Sequence, residues 1–387
     1  MRTLVYSILL SQTVLGCGTA PADEADTKPE TVDTGLEVDP STRSFRMGFT
    51  PFPYEASWDA VTGVYDLIHD HGDFVAHHFD GGVPWSEALD GTAYPDAVND
   101  ELEMRLSLTD PLVPAYIALS PLSMGRDDLA PYWGAEFNME RTGPWATADF
   151  SDPDVRTAYA NFAVSLIERF QPTWFNYAIE ATDYLIHKPE QWDAFVGFVQ
   201  HVHDAIETEH ADVQLMISIA LKHPDSSSSN TIRDRFSDVL PYVDVVGLSV
   251  YPYAFFGLEE GGNPANLPES WLSQVSDIAP DYPIAIAETA WIAENLNTDG
   301  GTWALSVNSS PEWQADYVQT LCTEANALNA EFITWWAPTD FDTLWEETLA
   351  SDPLAAIWRD AGLYDGDVNP RAALEVWDLW HEKPWVD

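Results

Sequence analysis

Two glutamates, Glu180 and Glu288, stand where a buried strand is predicted to end. Residues 174–179 are mostly apolar and lead into Glu180, and residues 284–287 are wholly apolar and lead into Glu288. An apolar run of this length is typical of a strand that helices cover on both faces. Such a strand does not require a terminal acid, whereas two carboxylates that face one cleft can carry out glycoside hydrolysis. The two glutamates are therefore the candidate catalytic residues. The alternative is that each is a salt-bridged residue at the rim of the fold.

Strand-like and helix-like patterns alternate from Ser44 onward and predict the elements that position these glutamates. The predicted strands are one that ends near residue 50 and those at residues 74–79, 113–119, 174–180, 213–219, 243–250, 284–288 and 332–336. Eight strands with helices between them, and no G-x-G-x-x-G or Walker-type loop, favour a single (β/α)8 TIM barrel over an open doubly wound sheet. In a barrel, both glutamates lie at the mouth formed by the carboxyl ends of the strands.

The composition restricts the ligand. The 387-residue chain has 64 acidic and 16 basic residues, which gives a formal net charge of −48. This charge repels nucleic acid and anionic lipid headgroups, and neither is expected as a partner. The chain also has 17 Trp and 15 Tyr, and aromatic rings stack on the flat C–H faces of sugars. We expect a monomer that binds a polysaccharide or oligosaccharide and uses no cofactor or metal.

The first 43 residues predict export and anchoring. Residues 1–17 contain one Arg, an apolar stretch and Val-Leu-Gly-Cys, and they resemble a bacterial lipoprotein signal that ends at a lipidated Cys17. The alternative, a short membrane helix, is disfavoured because about 12 apolar residues are too few to span a bilayer. Residues 18–43 are acidic and contain prolines, as expected of a disordered tether. The barrel, residues 44–387, is then expected on the bacterial cell envelope, held only by its lipid anchor and facing the periplasm or the cell exterior.

Two motifs carry a family resemblance. Residues 243–253 read VDVVGLSVYPY and residues 286–291 read IAETAW. In order and spacing they resemble the sixth- and seventh-strand motifs of the arabinogalactan endo-1,4-β-galactanases, glycoside hydrolase family 53, within the large clan of retaining β-glycosidases. The resemblance implies that Glu288 is the nucleophile, Glu180 the acid/base and Tyr251 the tyrosine beside the nucleophile. It is good over strands six to eight and loose over the first half of the chain.

Further residues are candidates for sugar binding. The resemblance implies that Trp335 or Trp336 stacks under the reacting sugar, and Trp291, which ends the second motif, is another candidate contact. Aromatic rings at the ends of barrel strands are suited to this role because they present a flat apolar face to the cleft.

Two histidines and an aspartate end the second predicted strand. His77, His78 and Asp80 could hydrogen-bond sugar hydroxyls, but only one of the histidines can enter the barrel, because adjacent strand residues face opposite ways. A metal cluster with the nearby His69 and His71 is disfavoured. Those histidines already complement the dipole at a helix C-terminus, and no ligand spacing is recognisable.

The sequence leaves two functions open. The first is hydrolysis of β-glycosidic bonds with retention, in which the charge of Glu288 is expected to raise the pKa of Glu180. The second is a non-catalytic carbohydrate-binding surface lipoprotein on the same barrel. It is motivated by Ile179, which stands where the family has Asn before the acid/base. In an enzyme, Thr182 or Asp183 would replace the contact of that Asn.

Overall fold

Eight parallel strands close into a barrel in the computed structural model, which describes residues 41–386. In chain order the strands are β1 (Arg46–Phe49), β2 (Phe74–Phe79), β3 (Ala115–Leu119), β4 (Trp174–Asn176), β5 (Gln214–Ala220), β6 (Val245–Val250), β7 (Ile284–Thr289), β8 (Leu296–Asp299), β9 (Ala304–Val307) and β10 (Phe332–Trp335). The barrel order is β1-β10-β7-β6-β5-β4-β3-β2, and β8 pairs only with β9. The predicted (β/α)8 barrel is confirmed.

Helices follow the barrel strands and cover them. Over residues 41–386 they are α1 (Trp58–His71), α2 (Trp85–Asp90), α3 (Asp96–Leu108), α4 (Pro153–Phe170), α5 (Ala181–His187), α6 (Trp192–His210), α7 (Ser227–Arg235), α8 (Pro252–Phe255), α9 (Val275–Ile278), α10 (Pro311–Ala327), α11 (Asp342–Glu347) and α12 (Ala372–His381). Ser57 and Ser310 begin α1 and α10 by accepting hydrogen bonds from backbone N–H groups of the first turn. Within the described range, no helix has the length and apolarity needed to cross a membrane.

The core has two layers, and alternation along each strand divides its side chains between them. On β2, Phe74 and Ala76 pack in a cluster inside the barrel, whereas Val75 and Phe79 pack in the larger cluster between the barrel and the helices. Residues of even number on β2 therefore face inward. This parity directs His78 toward the mouth of the barrel and His77 toward the helices.

Strand β4 is shorter than predicted. It ends at Asn176, whose side-chain oxygen accepts a hydrogen bond from the N–H of Ala178 and so starts a turn. Glu180 has φ 52°, in the left-handed region that a strand cannot continue, and it lies immediately before α5. The prediction that a strand runs to Glu180 was wrong, although the glutamate still lies above the end of β4.

The antiparallel hairpin β8–β9, inserted between β7 and α10, was not predicted. Its strands are short and mostly exposed, and their polar residues give no continuous apolar pattern. The hydroxyl of Thr298 donates to the carbonyl of Pro353 at 2.7 Å, which connects the hairpin to the loop that follows β10.

The folded chain begins before the predicted boundary at residue 44. Arg43 is buried, and its guanidinium makes two hydrogen bonds to Asp73, at 2.6 and 3.1 Å. Asp73 also accepts from the N–H of Met47 and lies 3.2 Å from Nε2 of His381 on α12. Arg43 therefore belongs to the barrel and not to the tether. The predicted signal, residues 1–17 with Cys17, and residues 18–40 of the tether lie outside the described residues.

Asp73→Asn should lower the free energy of unfolding by about 3 kcal/mol, because it leaves the buried charge of Arg43 without its partner. Urea unfolding at pH 7, followed by circular dichroism, measures this loss.

The stabilisation by Asp73 should depend on pH. Burial opposes ionisation of Asp73, but hydrogen bonds from His381 and Arg43 outweigh the effect of burial and lower the pKa of Asp73. The stabilisation is therefore complete above the ordinary carboxyl pKa and is lost on acidification, so the gap between the two proteins should narrow below about pH 4. The matched control is Asp70→Asn, an exposed position on α1; equal losses in the two variants would contradict the assignment.

Candidate active site

A cleft opens at the carboxyl ends of the barrel strands, and all eight strands or their following loops contribute residues to it. The predicted site residues that line it are His78, Asp80, Glu180, Asp183, Tyr251, Glu288 and Trp336. Sequence reasoning missed several others, among them Phe52, Arg126, Lys222, Ser249 and Trp358. The two candidate catalytic glutamates therefore share one cleft.

Glu288 faces the cleft because β7 contains a bulge. Ala285 and Ala287 point into the barrel, so strict alternation would turn Glu288 outward toward the helices. The pairing with β6 changes register here, since Gly247 pairs with Ala285 but Ser249 pairs with Glu288. The extra residue on β7 re-aims the carboxylate into the mouth, a common use of bulges next to active sites.

Two side chains hold the carboxylate of Glu288. The hydroxyl of Tyr251, just past the end of β6, donates a hydrogen bond to Oε1, and Nδ1 of His78 lies 3.1 Å from Oε2. Burial and the charge of Glu288 raise the pKa of Tyr251 well above its ordinary value, so the phenol keeps its proton and remains a donor. With both oxygens engaged, the carboxylate is fixed in orientation, as a nucleophile requires.

Glu180 is fixed through its backbone and its side chain. Its N–H donates to the hydroxyl of Ser218 on β5 at 2.8 Å, and its Oε1 accepts from the hydroxyl of Ser249 on β6 at 2.7 Å. Its Oε2 lies 3.1 Å from Nε and 3.0 Å from Nη2 of Arg126. These contacts hold the carboxylate of Glu180 at the wall of the cleft.

Arg126, on the loop after β3, is the main residue that sequence reasoning missed. It binds Asp80 through two hydrogen bonds, Nη1 to Oδ1 at 2.8 Å and Nη2 to Oδ2 at 2.7 Å, while it also binds Glu180. One guanidinium thus bridges two carboxylates, from the ends of β2 and β4. Its place in a long irregular loop gave no periodic signal that could have identified it.

The charges around Glu180 correct the expected pKa. Burial alone would raise the pKa of Glu180, but Arg126, the hydrogen bond from Ser249 and the charge of Lys222 outweigh it and lower the pKa. The expectation that the pKa of Glu180 is raised, with the charge of Glu288 as the cause, was therefore wrong in its direction. Nothing in the sequence indicated that Arg126, on the loop after β3, and Lys222, on the loop after β5, lie close to Glu180. For Asp80 the balance is the opposite, because burial prevails over Arg126 and raises its pKa.

Asp183 and Lys222 form an ion pair at another part of the cleft wall, with Nζ of Lys222 2.7 Å from Oδ1 of Asp183. Thr182, the other candidate, is fully buried and accepts a hydrogen bond from the N–H of Ala220, so its role is structural. Ile179 is buried in the cluster inside the barrel and presents no polar group to the cleft. Of the two candidates, Asp183 alone reaches the cleft.

Aromatic rings surround the carboxylate of Glu288. Trp336 packs against Phe52 and His78, with ring centroids 5.3 and 6.1 Å apart. Trp358, on the loop after β10, packs edge-on against Tyr251 at 5.7 Å. The two indoles therefore lie beside the two residues that hold Glu288, where an aromatic ring can stack on a sugar bound over the carboxylate.

Three predicted contacts lie outside the cleft. His77 is fully buried on the helix-facing side of β2, 2.8 Å from the hydroxyl of Thr109. Trp335 faces the helices and donates to the carbonyl of Ala361, and Trp291 donates to the carbonyl of Gly262. Their assignment as substrate-binding residues is corrected, because strand parity turns His77 and Trp335 outward and Trp291 stacks on the helix α10.

Acidic residues after β10 form a separate cluster that two arginines contact. Oxygens of Asp340, Asp342 and Asp360 lie within 4.8 Å of one another. Arg371 binds Asp340, and Arg359 lies 2.6 Å from Asp360 and 3.3 Å from Asp342. Two guanidiniums thus neutralise most of the charge that would otherwise attract a cation.

A curated protein sequence matches part of the chain. No protein-family model matches the chain. The chain is 26% identical over 219 residues to an uncharacterised protein encoded in the bgaB 5′ region of Niallia circulans, a match that covers 50% of this chain and 55% of that protein. The chain therefore spans about half the length of this curated relative.

Solved structures share the barrel. An exo-beta-1,4-mannosidase from Opitutaceae bacterium strain TAV5 has a TM-score of 0.59 at 15% identity, and the match covers 91% of this chain and 62% of the mannosidase. A GH53 catalytic domain from Ignisphaera aggregans has a TM-score of 0.57 at 16% identity, over 92% of this chain and 100% of the domain. At these identities the likeness shows the (β/α)8 fold.

Proposed function

We propose that the protein is a glycoside hydrolase that cleaves β-glycosidic bonds with retention of anomeric configuration. The observation that carries this proposal is the pair Glu180 and Glu288, which line one cleft and have different hydrogen-bond partners. Two carboxyl groups with different partners can divide the roles of acid/base and nucleophile. The shared fold of a mannosidase and a GH53 domain supports the same chemistry.

The geometry supports one assignment of roles. Tyr251 and His78 hold Glu288, so its carboxylate would attack the anomeric carbon as the glycosidic C–O bond breaks. Glu180 would give its proton to the leaving oxygen. In the second step Glu180 would take a proton from water, which attacks the glycosyl–Glu288 ester and releases the sugar, and both carboxyl groups return to their starting state.

The proposed substrate is a polysaccharide or oligosaccharide. Trp336 and Trp358 supply stacking surfaces, while His78 and Asp183 supply polar groups for hydroxyls. The resemblance of the β6 and β7 motifs to endo-1,4-β-galactanases makes β-galactan the first polymer to test. The barrel is proposed to act as a monomer.

A non-catalytic sugar-binding protein is the second candidate, favoured by Ile179 and by the ion pair between Glu180 and Arg126. Ile179 offers no amide to a bound sugar, and the ion pair favours the ionised form of Glu180 over the acid. Against it stands the bulge that directs Glu288 into the cleft, because a binding protein gains nothing from burying an acid there.

Glu288→Gln should remove nearly all hydrolysis, because the amide cannot attack the anomeric carbon. Glu180→Ala should spare aryl β-glycosides with good leaving groups, which need no proton. Azide should restore turnover because it attacks the anomeric carbon of the glycosyl–Glu288 ester without a general base, which releases the carboxylate of Glu288 and yields a β-glycosyl azide. Both variants are to be assayed on the polysaccharide or aryl glycoside that the wild type cleaves best in a panel that includes β-galactan.

NMR of the first products separates the outcomes. Retention predicts that the β-anomer appears before mutarotation, whereas an initial α-anomer would keep the two glutamates but overturn the nucleophile assignment. Saturable sugar binding without hydrolysis of any panel member would favour the second candidate. Asp183→Asn serves as a comparison, because it changes a cleft carboxyl group that has no assigned chemical step.

Trp336→Ala should weaken the binding of an oligosaccharide substrate by ~1–3 kcal/mol, because it removes a stacking surface beside Glu288. Isothermal titration calorimetry in a Glu288→Gln background measures this change without turnover. Trp335→Ala is the matched control. Its ring packs against the helices, so it should lower the free energy of unfolding by ~3–5 kcal/mol and leave the affinity of the folded protein unchanged. The reverse pattern would overturn the assignment of the two tryptophans.

We further propose that Cys17 carries a lipid that anchors the protein to the bacterial cell envelope. The support is the signal-like run in residues 1–17 and the acidic segment after it. Cys17→Ser, expressed in a bacterial host, should move the protein from the membrane fraction to the soluble fraction. Mass spectrometry of the wild type should show acyl groups on its N-terminal peptide, and an unacylated, soluble wild type would refute the anchor.

A further inference from the structure

We infer that Arg126 and Asp80 form a charge-sharing unit with Glu180 and that this unit positions Glu180 and sets the pH range in which it works as the acid/base. The inference rests on the proposed function and names two residues that act through Glu180. Arg126 is a positioning residue, and Asp80 determines how strongly Arg126 acts.

The contacts of Arg126 define the unit. Its guanidinium lies between the carboxylates of Asp80 and Glu180, with four N···O distances of 2.7, 2.8, 3.0 and 3.1 Å. The remaining contacts of Nη1 are the hydroxyl of Ser120 and the carbonyl of Ser123, at 3.4 and 3.3 Å. The side chain of Arg126 is 7% exposed, so solvent screens these interactions little.

Arg126 and Glu180 both have an unfavourable backbone conformation. Ten non-glycine residues between 41 and 386 have positive φ, and of these only Arg126, at 54°, and Glu180, at 52°, line the cleft. Left-handed backbone is unfavourable for such side chains and persists only where the surroundings impose it. Both ends of this ion pair are therefore held in strained conformations at the site itself.

The charges of the unit are unequal, because two carboxylates share one cation. The other groups that face Glu180 are the hydroxyl of Ser249, the cation Lys222, which Asp183 pairs with, and Tyr251, which donates to Glu288. None of these replaces Arg126 as a direct cationic partner of Glu180. The stronger the ion pair between Arg126 and Asp80, the less Arg126 stabilises the ionised form of Glu180, and the more readily Glu180 keeps its proton.

This balance suits a residue that must alternate between two states. Glu180 has to be protonated when the glycosidic bond breaks and ionised when water attacks the glycosyl–Glu288 ester. Arg126 favours the ionised form, and the negative charge of Asp80 opposes it. Without Asp80, Arg126 would pair with Glu180 alone and retain it as a carboxylate to lower pH.

Carboxyl NMR titration tests the unit directly, without any substrate. Protein labelled with 13C at the glutamate side-chain carboxyl is titrated, and Glu180→Gln assigns the signal of Glu180. Arg126→Gln should raise the midpoint of the Glu180 titration by about one to three pH units, because it removes the cation that both carboxyl groups share. Asp80→Asn should lower the midpoint by less than Arg126→Gln raises it, because burial raises the pKa of Asp80 and part of its charge is already neutralised when Glu180 takes up its proton. Arg126→Lys, which keeps the charge, should give a midpoint closer to the wild type than Arg126→Gln.

Asp127→Asn is the matched control, because Asp127 is an exposed carboxylate next to Arg126 that hydrogen-bonds Ser123 instead. It should leave the midpoint unchanged. On an aryl β-glycoside that the wild type cleaves, the alkaline limb of kcat/KM should move to lower pH in Asp80→Asn. A midpoint that stays in place or rises in Asp80→Asn overturns the inference even if the protein is an active glycosidase. If the titration midpoints shift as expected but the protein hydrolyses no glycoside, the proposed function is overturned and the inference about Arg126 and Asp80 stands.

Discussion

Closure of eight parallel strands into one barrel brings the carboxyl end of every strand to a single mouth. Glu180 follows β4 and Glu288 lies on β7, 108 positions later in the chain, and the closed barrel brings them into a common cleft. Closure also fixes which side chains reach that cleft, because each strand must alternate between the interior and the helices. The bulge in β7 is the local exception that admits Glu288.

The two glutamates have the same side chain and different partners. A phenol and an imidazole hold Glu288, whereas a serine hydroxyl and a shared guanidinium hold Glu180. Environments of this kind can give two like residues different roles. The partners of Glu180 also explain why its pKa differs from the expectation. Arg126 lowers the pKa of Glu180, which the charge of Glu288 was expected to raise.

The spacing of apolar residues predicted the barrel. Buried strands and amphipathic helices each require a regular apolar pattern, and that pattern is recognisable in the sequence alone. Parity also predicted that only one of His77 and His78 enters the barrel, and the structure selects His78. Three features carried no such signal: the early end of β4, which depends on the side chain of Asn176, the bulge before Glu288, and the ion pair of Arg126. Each depends on contacts of individual residues, and a pattern averaged over a segment does not contain them.

In the proposed mechanism Glu288 forms a covalent bond to the substrate, and trapping that intermediate tests the mechanism directly. The protein is incubated with a set of 2,4-dinitrophenyl 2-deoxy-2-fluoro-β-glycosides, digested and mapped by mass spectrometry. One fluoroglycosyl group is expected on the peptide that contains Glu288, and none in Glu288→Gln. A label on the peptide that contains Glu180 or Asp80 instead would contradict the assignment of Glu288 as the nucleophile.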